Sequence, residues 1–516
     1  MTALGTETMA DAIRFHAQST PEKLAILDLH TKESYTYQQA DRRISELAAM
    51  LRDSLQGRGG ERVAVISRNS ALMVLLQFAC ARAGAIFVPL NWRLAPPEIA
   101  ALIDDAKPAA VVWQAEFDAL AEPALAAAPA DCRFRLTDSG ECLGVGHLVQ
   151  ARPIHQPTDE MVAMTLLYTS GTSGKSKGVI ITGRTAFYSA LNYGLSAGVS
   201  KDSVFLCDMP LFHVAGLLAV AGTPLFYGGT LVVSQKFDPV VTFKNLIDPA
   251  LGVTHYFCVT QMAALMRANN PPGAMKKLAH LKAMQTGGAP NPPASVRAWV
   301  EDGVPMIDGF GMTEIGSALS MPPHDLSVIG EKAGSVGLPS LFMEAKIVTA
   351  DGKDAAAGVV GELWVRGPNV TPGYWNKPEE TTAAFYEGWL KTGDSARTDE
   401  DGFFYIVDRT KDMFISGGEN VYPVEVEAVI AEIPEVLDCA VIGVPDERWG
   451  EVGAAILLLK EAGRTLTEKA VIDYIRTRLA AYKAPKHVRF VTDLPRTPSG
   501  KVQKHKLKAA WMESDG

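Results

Sequence analysis

The residues best suited to chemistry lie in one stretch, Tyr168–Val179, which reads YTSGTSGKSKGV. Gly171, Gly174 and Gly178 interleave with the hydroxyl residues Thr169, Ser170, Thr172, Ser173 and Ser176 and with Lys175 and Lys177. Glycine lets the backbone curl until its N–H groups converge, hydroxyls add donors and lysines add charge, so the stretch suits phosphate oxygens. Apolar runs flank it, Met161–Leu167 before and Val179–Ile181 after. It therefore reads as a loop between two strands, not as a flexible Gly/Ser linker. Gly174-Lys175-Ser176 matches the end of the phosphate-loop template, but the glycine required five positions earlier is Thr169. The cradle belongs to another phosphate-binding class.

The elements that must hold this loop follow an alternating pattern. Arg62–Ile66, Gly84–Pro89 and Ala109–Trp113 read as buried strands, with helices at Ser70–Ala83 and Pro96–Ala106 between them. Before them come a helix, a strand at Leu24–Leu29 and a second helix entered through Thr36-Tyr37-Gln38. After the loop a helix spans Thr185–Leu195, and strands at Val204–Asp208, Thr230–Ser234, Thr254–Cys258 and Ala283–Gly287 open a second series. Strand–helix alternation implies parallel sheets covered on both faces, here in two similar halves. Residues 330–408 alternate in the strand manner, with Asp351-Gly352 as a hairpin turn, and predict a β subdomain. The remainder predicts a small α+β unit. Residues 114–156 carry no clear pattern. The fold class is thus α/β, with a large domain over 1–408 and a C-terminal domain over 412–516.

At 516 residues, several structural units are required, and 47% hydrophobic with 21% charged residues marks the globular class. The six cysteines (Cys80, Cys132, Cys142, Cys207, Cys258, Cys439) form no CxxC and no metal-ligand spacing, which fits a reducing, cytoplasmic location. The first residues lack the basic-then-apolar pattern of a signal peptide. The longest apolar stretch, Ala71–Trp92, is broken by Gln77, Arg82 and Pro89 and reads as a buried helix running into a strand, not a membrane span. The chain is at −9 overall, yet Arg476–Lys508 holds ten Lys/Arg against one Asp. With few aromatics and no nucleic-acid motif there, a surface for a phosphorylated small molecule is the expectation, a solvated face the alternative.

Eight stretches, in order and spacing, resemble the adenylate-forming superfamily of acyl-CoA synthetases, luciferases and peptide-synthetase adenylation domains. They are the loop Tyr168–Val179, PLFHVAGL (Pro210–Leu217), TGGAP (Thr286–Pro290), DGFGMTEIG (Asp308–Gly316), WLKTGD (Trp389–Asp394), DRTKDMFISGGENVYPVEVE (Asp408–Glu427), YKAPK (Tyr482–Lys486) and PRTPSGKVQK (Pro495–Lys504). The resemblance implies that a carboxylic acid attacks the α-phosphorus of ATP, giving an acyl-adenylate and pyrophosphate. Two anions must be brought together, which demands positioning and charge neutralisation.

Carried over residue by residue, the resemblance implies these roles. The loop residues Thr169–Lys175 and Lys177 hold the β- and γ-phosphates. Glu314 binds Mg²⁺ with Thr169 and Thr313 as oxygen neighbours. Gly288, Ala289, Asp308 and Phe310 face the adenine, Phe310 by stacking, and Pro290, Gly309, Gly311, Met312 and Thr313 are further cofactor-binding residues. Asp394 accepts the ribose hydroxyls, supported by Arg409, and Lys501 bridges carboxylate and α-phosphate. Arg409-Thr410-Lys411 is the hinge, with Lys411 at the pivot of a rotation that brings Ser416-Gly417-Gly418-Glu419 to the adenylate for transfer to coenzyme A. Trp449 and Tyr482 match coenzyme-contacting positions. Ala484 departs from relatives that carry a basic residue there, which shifts the coenzyme's phosphate contacts to the rest of the basic tail.

His213 resembles the aromatic gate between acyl pocket and thiol tunnel, a core histidine being the alternative. The pocket itself is expected from Val214, Ala215, Gly216, Gly287, Gly288, Gly316 and Ser317, with the helix around Phe187–Tyr193. These residues are small or apolar, with no cation for a second carboxylate and no acidic anchor for an α-amine, so a hydrophobic monocarboxylate is favoured. The pattern is most similar to bacterial feruloyl-CoA and medium- to long-chain fatty-acyl-CoA synthetases. Aryl and alkyl acids both stay open, with a lean to arylpropenoates. A stand-alone adenylation enzyme loading a carrier protein is the further alternative. A non-catalytic binding paralogue would lack Lys501, Glu314 or a loop lysine, and all are present. An apolar patch in the β subdomain would suit a homodimer.

Overall fold

The computed structural model describes residues 9–136, 142–143, 162–169, 176–289, 291–322, 325–409, 412–416, 419–446, 449–460, 466–479, 481–497 and 501–514. Among them, two large sheets carry the chain up to Pro339. One has seven strands in the order Cys142–Leu143, Arg133–Leu136, Ala110–Gln114, Arg62–Ile66, Ile86–Pro89, Ala163–Thr169 and Lys177–Thr182. The other has nine, with Leu24–Asp28, Thr230–Val233, Val204–Cys207, His255–Cys258, Ala283–Thr286 and Met306–Met312 forming its parallel body. Both expected halves are present, and parallel pairing follows from the β-branched runs and their helical crossovers.

The halves share one core. Helix Ala71–Ala83 is buried along its whole length, capped by Ser70 at its start and by Gly84 in the left-handed region at its end. It packs with Val63, Val65 and Phe87 of one sheet and Ile26, Phe205 and Leu231 of the other. Two of its residues are polar: Arg82 is paired with Asp41 and donates to Ser45 Oγ at 2.8 Å, while the buried Gln77 amide has no hydrogen-bond partner among the described residues. No helix among the described residues is long and apolar enough to cross a membrane.

Strands Glu344–Val348, Gly361–Arg366, Trp389–Thr398 and Phe404–Arg409 build an antiparallel sheet around Leu363, Val365 and Leu390, as the alternation predicts. In the last unit Val436–Asp446 and Gly450–Leu459 pair antiparallel, and His487–Val491 joins them in parallel. Helices Pro423–Ile430 and Glu468–Arg476 cover one face and Lys504–Ser514 the other, through Trp511.

Three features differ from the expectation. The strands around the glycine-rich loop are antiparallel neighbours, a hairpin inside an otherwise mostly parallel sheet. The patternless stretch contains helix Asp118–Ala127, with Pro123 inside it, and strand Arg133–Leu136. PLFHVAGL runs into a π-helix, Ala215–Gly222, a rare form found often at functional sites.

Candidate active site

Strands Ala163–Thr169 and Lys177–Thr182, which flank the glycine-rich stretch in sequence, pair antiparallel with Thr169 opposite Lys177. Ser170, Gly171, Thr172, Ser173, Gly174 and Lys175 lie outside the described residues, as do Pro290, Lys411, Gly417 and Gly418. Glu314 occupies the turn of a second hairpin, between Met306–Met312 and Gly316–Ser320, where Ile315 N–H donates to Met312 O at 3.1 Å. Thr313 shares that turn. A Cβ on Gly311 would fall 2.1 Å from Gly316 O, so only glycine allows this hairpin to close.

Residues 371–375 stitch the two hairpins together. Thr371 N–H donates to Glu314 O at 2.7 Å, and its Oγ1 donates to Ile180 O at 2.7 Å. Trp375 N–H reaches Gly178 O at 2.7 Å. Tyr374 OH donates to Glu314 Oε1 at 3.0 Å, while Lys177 Nζ lies 4.9 Å from the centre of the Tyr374 ring. Burial and the Glu314 carboxylate hold the Tyr374 hydroxyl well above its ordinary pKa, so it remains a donor. Tyr374 was not identified from sequence, where TPGYW shows only a turn followed by aromatics. Glu314 itself is 7% exposed. One buried carboxylate, joined through Tyr374 to the strand that carries Lys177, is a donor set that fits Mg²⁺, which takes few protein oxygens and completes its shell with water and phosphate.

A second group forms at the C-terminal ends of the parallel strands. Asp308, opposite Thr286 in the register, accepts at Oδ1 from Thr286 Oγ1 and from Asn291 Nδ2, the latter at 3.1 Å. Burial pushes this carboxyl up to about 7. The side chain expected to face adenine thus has one oxygen committed within the protein, and Asn291 is a partner that sequence did not reveal. Gly288 is left-handed, at φ +84°, and a Cβ there would lie 3.7 Å from Lys501 Cε. Lys501 N–H donates to Thr497 Oγ1 at 3.1 Å, and Thr497 N–H returns to Lys501 O at 2.7 Å. A lysine 213 positions away in the chain therefore arrives at the strand ends that carry Gly287, Gly288 and Ala289.

His213 sits in the segment between Val204–Cys207 and the π-helix, its N–H bonded to Pro210 O at 3.1 Å. Its Nε2 is buried without a hydrogen-bond partner among the described residues. Burial, with the positive charges of Arg93 and Lys501, pushes it down to about 4, so the ring is neutral near pH 7. Arg93 corrects the expectation of no cation near this pocket. It comes from the loop after Ile86–Pro89, with its guanidinium 5.7 Å from the centre of the Phe212 ring. Gly216 is a further correction. A Cβ there would meet Pro210 O at 2.2 Å, so this glycine serves backbone packing and does not widen a pocket. Gly316, at φ +61°, abuts Ser189, while Ser317 O accepts from Asn369 Nδ2 at 3.0 Å. Val214 and Ala215 are half-buried against the main core. Phe310 and Met312 lean on the antiparallel sheet, and Gly309 packs against Leu319 O.

Asp394, 6% exposed, lies directly opposite Arg409 across adjacent strands, so the structure brings those two together. In the last unit Glu419 pairs with Ser416, and Ser416 is also opposite Gly450, the neighbour of Trp449. Ile415, Trp449 and Tyr482 are among the exposed apolar residues of this unit, at 50%, 45% and 40%. The basic tail is otherwise largely neutralised at home. Arg478 pairs with Glu432, Lys483 with Glu425, Lys486 with Asp446, Arg496 with Asp438, Lys504 with Glu427 and Lys508 with Glu451. Counting charge along the sequence overstates the positive surface, because these carboxylates lie outside the tail and fold onto it.

Comparison with known proteins agrees with this geometry. The AMP-binding enzyme family matches residues 13–375, and the AMP-binding enzyme C-terminal domain matches residues 425–501. A feruloyl-CoA synthase of Amycolatopsis sp. is 36% identical over 95% of this chain and 96% of its own length. A long-chain-fatty-acid–CoA ligase of Mycobacterium tuberculosis is 33% identical over 97% of both chains. Among solved structures, ATP-bound MatB from Rhodopseudomonas palustris superposes with a TM-score of 0.90 at 29% identity, covering 99% of this chain and 100% of that one. On the two family matches and on relatives that span nearly its whole length, this chain belongs to the AMP-binding enzyme family.

Proposed function

We propose that this AMP-forming acid–CoA ligase acts on a hydrophobic monocarboxylic acid, with arylpropenoic acids of the ferulate kind favoured over fatty acids. Its cofactors are ATP, Mg²⁺ and coenzyme A. The observation that supports the two-step reading is the arrival of Lys501 beside Gly288, close enough to His213 to act on its charge.

In the first step a carboxylate oxygen of the acid attacks the α-phosphorus of ATP. A new C–O–P linkage forms, the bond to the β-bridging oxygen breaks, and pyrophosphate leaves with the electron pair. Lys501 would lie between the carboxylate and the α-phosphate, two groups of like charge, and lower the cost of their approach. Lys177 and the loop of its hairpin would hold the departing phosphates. Asp394 with Arg409 would fix the ribose, and Phe310 with Gly288 and Ala289 the adenine. Held by Glu314 and Thr169, Mg²⁺ would neutralise phosphate charge.

For the second step the C-terminal domain, residues 412–516, would rotate about residues 409–411. That motion withdraws Lys501 and brings Gly417-Gly418-Glu419 to the adenylate. The coenzyme's thiol, its proton released to solvent, then attacks the acyl carbon; the C–S bond forms as the acyl C–O bond to the phosphate breaks, and AMP leaves with that electron pair, with Trp449 and Tyr482 gripping the coenzyme. The long-chain relative keeps fatty acids as the competing reading. Pyrophosphate release over hydroxycinnamates, benzoates and short- to long-chain fatty acids, with and without coenzyme A, separates them. The expected outcome is strongest turnover with hydroxycinnamates and thioester only when coenzyme A is present. Adenylate without thioester from every acid refutes the ligase reading.

A further inference from the structure

Among the hydroxyls of helix Gly183–Ala197, those of Ser189 and Tyr193 lie one turn apart on the same side. Their residues are 1% and 4% exposed, and neither Ser189 Oγ nor Tyr193 OH has a hydrogen-bond partner among the described residues. Buried polar atoms in folded proteins are nearly always paired, because an unpaired one loses its water without compensation. The same helix shows the ordinary behaviour at Asn192. Its Nδ2 donates to Asn369 Oδ1 at 3.4 Å, and its Oδ1 accepts from Phe342 N–H at 3.2 Å. Two idle hydroxyls beside a committed amide mark a place built for something else.

Their surroundings say what that place is. Ser189 Oγ would lie 2.0 Å from a Cβ on Gly316, so it stands against strand Gly316–Ser320 just past the Glu314 turn. The Tyr193 ring is 6.4 Å from Phe205, and its hydroxyl is close enough to feel Cys207 and Cys258, which end two central parallel strands. The π-helix Ala215–Gly222 packs on this helix and on the same strand. His213, just before the π-helix, supplies a third buried atom without a partner, Nε2.

We propose that Ser189 Oγ and Tyr193 OH form the far end of the acid pocket and hydrogen-bond a hydroxyl or methoxyl group on the ring of the acid, with His213 towards its carboxylate. The inference rests on the ligase reading above and narrows its substrate class to oxygen-substituted aryl acids. A phenolic hydroxyl both donates and accepts and a methoxyl oxygen accepts, so a ring that carries them offers these side-chain hydroxyls a partner. A saturated chain in the same place leaves both unpaired, which is the stronger form of discrimination.

The experiment compares kcat/KM for 4-hydroxycinnamate and cinnamate, which differ by one oxygen. The unaltered enzyme should prefer the hydroxylated acid by about tenfold or more, and Ser189→Ala and Tyr193→Phe should each cut that ratio several-fold. A ratio near one in the unaltered enzyme, or variants that lower both acids equally, overturns the proposal. Thermal melting of the free enzyme guards against a folding artefact. Tyr193→Phe should not lower Tm, and a lowered Tm with an unchanged ratio means that the hydroxyl serves the fold. If no acid yields pyrophosphate or thioester, it is the ligase reading that fails. Calorimetric titration of the two acids then still decides this one, preference for 4-hydroxycinnamate supporting it and equal affinity overturning it.

Discussion

Replacing Lys501 by alanine should separate the two half-reactions. The residue has nothing to recommend it but its position: it is exposed, its N–H donates to Thr497 Oγ1, and its Cε stands about one van der Waals contact from a Cβ on Gly288. A unit charge about 4 Å from a phosphate oxygen contributes ~4 kcal/mol at an effective dielectric of about 20. Solvent and salt reduce that at an exposed side chain. A loss of roughly 10²–10³-fold in adenylate formation remains, similar to the loss of one oxyanion donor. The assay is pyrophosphate release for the first step and thioester formation from supplied acyl-adenylate for the second. Lys501→Ala should lose the first at that scale and keep most of the second. Equal loss in both steps would refute the idea that Lys501 serves only one arrangement of the domains.

Two further outcomes follow from the site. Tyr374→Phe removes the 3.0 Å donor to Glu314; at about 1.5–3 kcal/mol for a bond to a charged group, it should raise the Mg²⁺ needed for half-maximal pyrophosphate release by roughly tenfold or more, and an unchanged Mg²⁺ titration would refute the link between that tyrosine and the metal. His213, pushed down to about 4 from an ordinary 6.5, binds its proton less readily in the folded chain than in the unfolded one; its contribution to stability is therefore full above about pH 6.5 and lost as pH falls towards 4, so in melting curves across pH 4–7 His213→Phe should flatten part of the acid-side slope, and an unaltered slope would refute a neutral buried ring.

Local pattern accounts for much of the fold. Helix Pro96–Ala106 was legible to the residue because a proline pair opens it and its apolar residues recur at helical spacing. Thr36, Ser70 and Thr467 were readable helix starts, each a hydroxyl that accepts from the backbone at N3. Helix Asp118–Ala127 was not readable, since Ala and Pro carry no periodic signal and packing alone orders it. Tyr374 and Arg93 were missed for a related reason: neither sits in a stretch whose spacing marks chemistry, and each gains its role from a partner that is distant in the chain.

By itself the sequence determined the kind of chemistry. Glycines, hydroxyls and lysines at that spacing suit phosphate oxygens, and eight ordered motifs resemble those of one superfamily. It also determined where most strands and helices fall, because burial imposes periods of two and 3.6 residues. Tertiary structure alone decided where the charges lie in space. Most of the basic tail is matched by carboxylates from elsewhere in its own domain, whereas Lys501 is carried across to Gly288 and His213. It alone decided, too, that Ser189 Oγ and Tyr193 OH are buried without a hydrogen-bond partner among the described residues. Charge and hydrogen-bond satisfaction depend on distance in space, and no spacing along the chain encodes that.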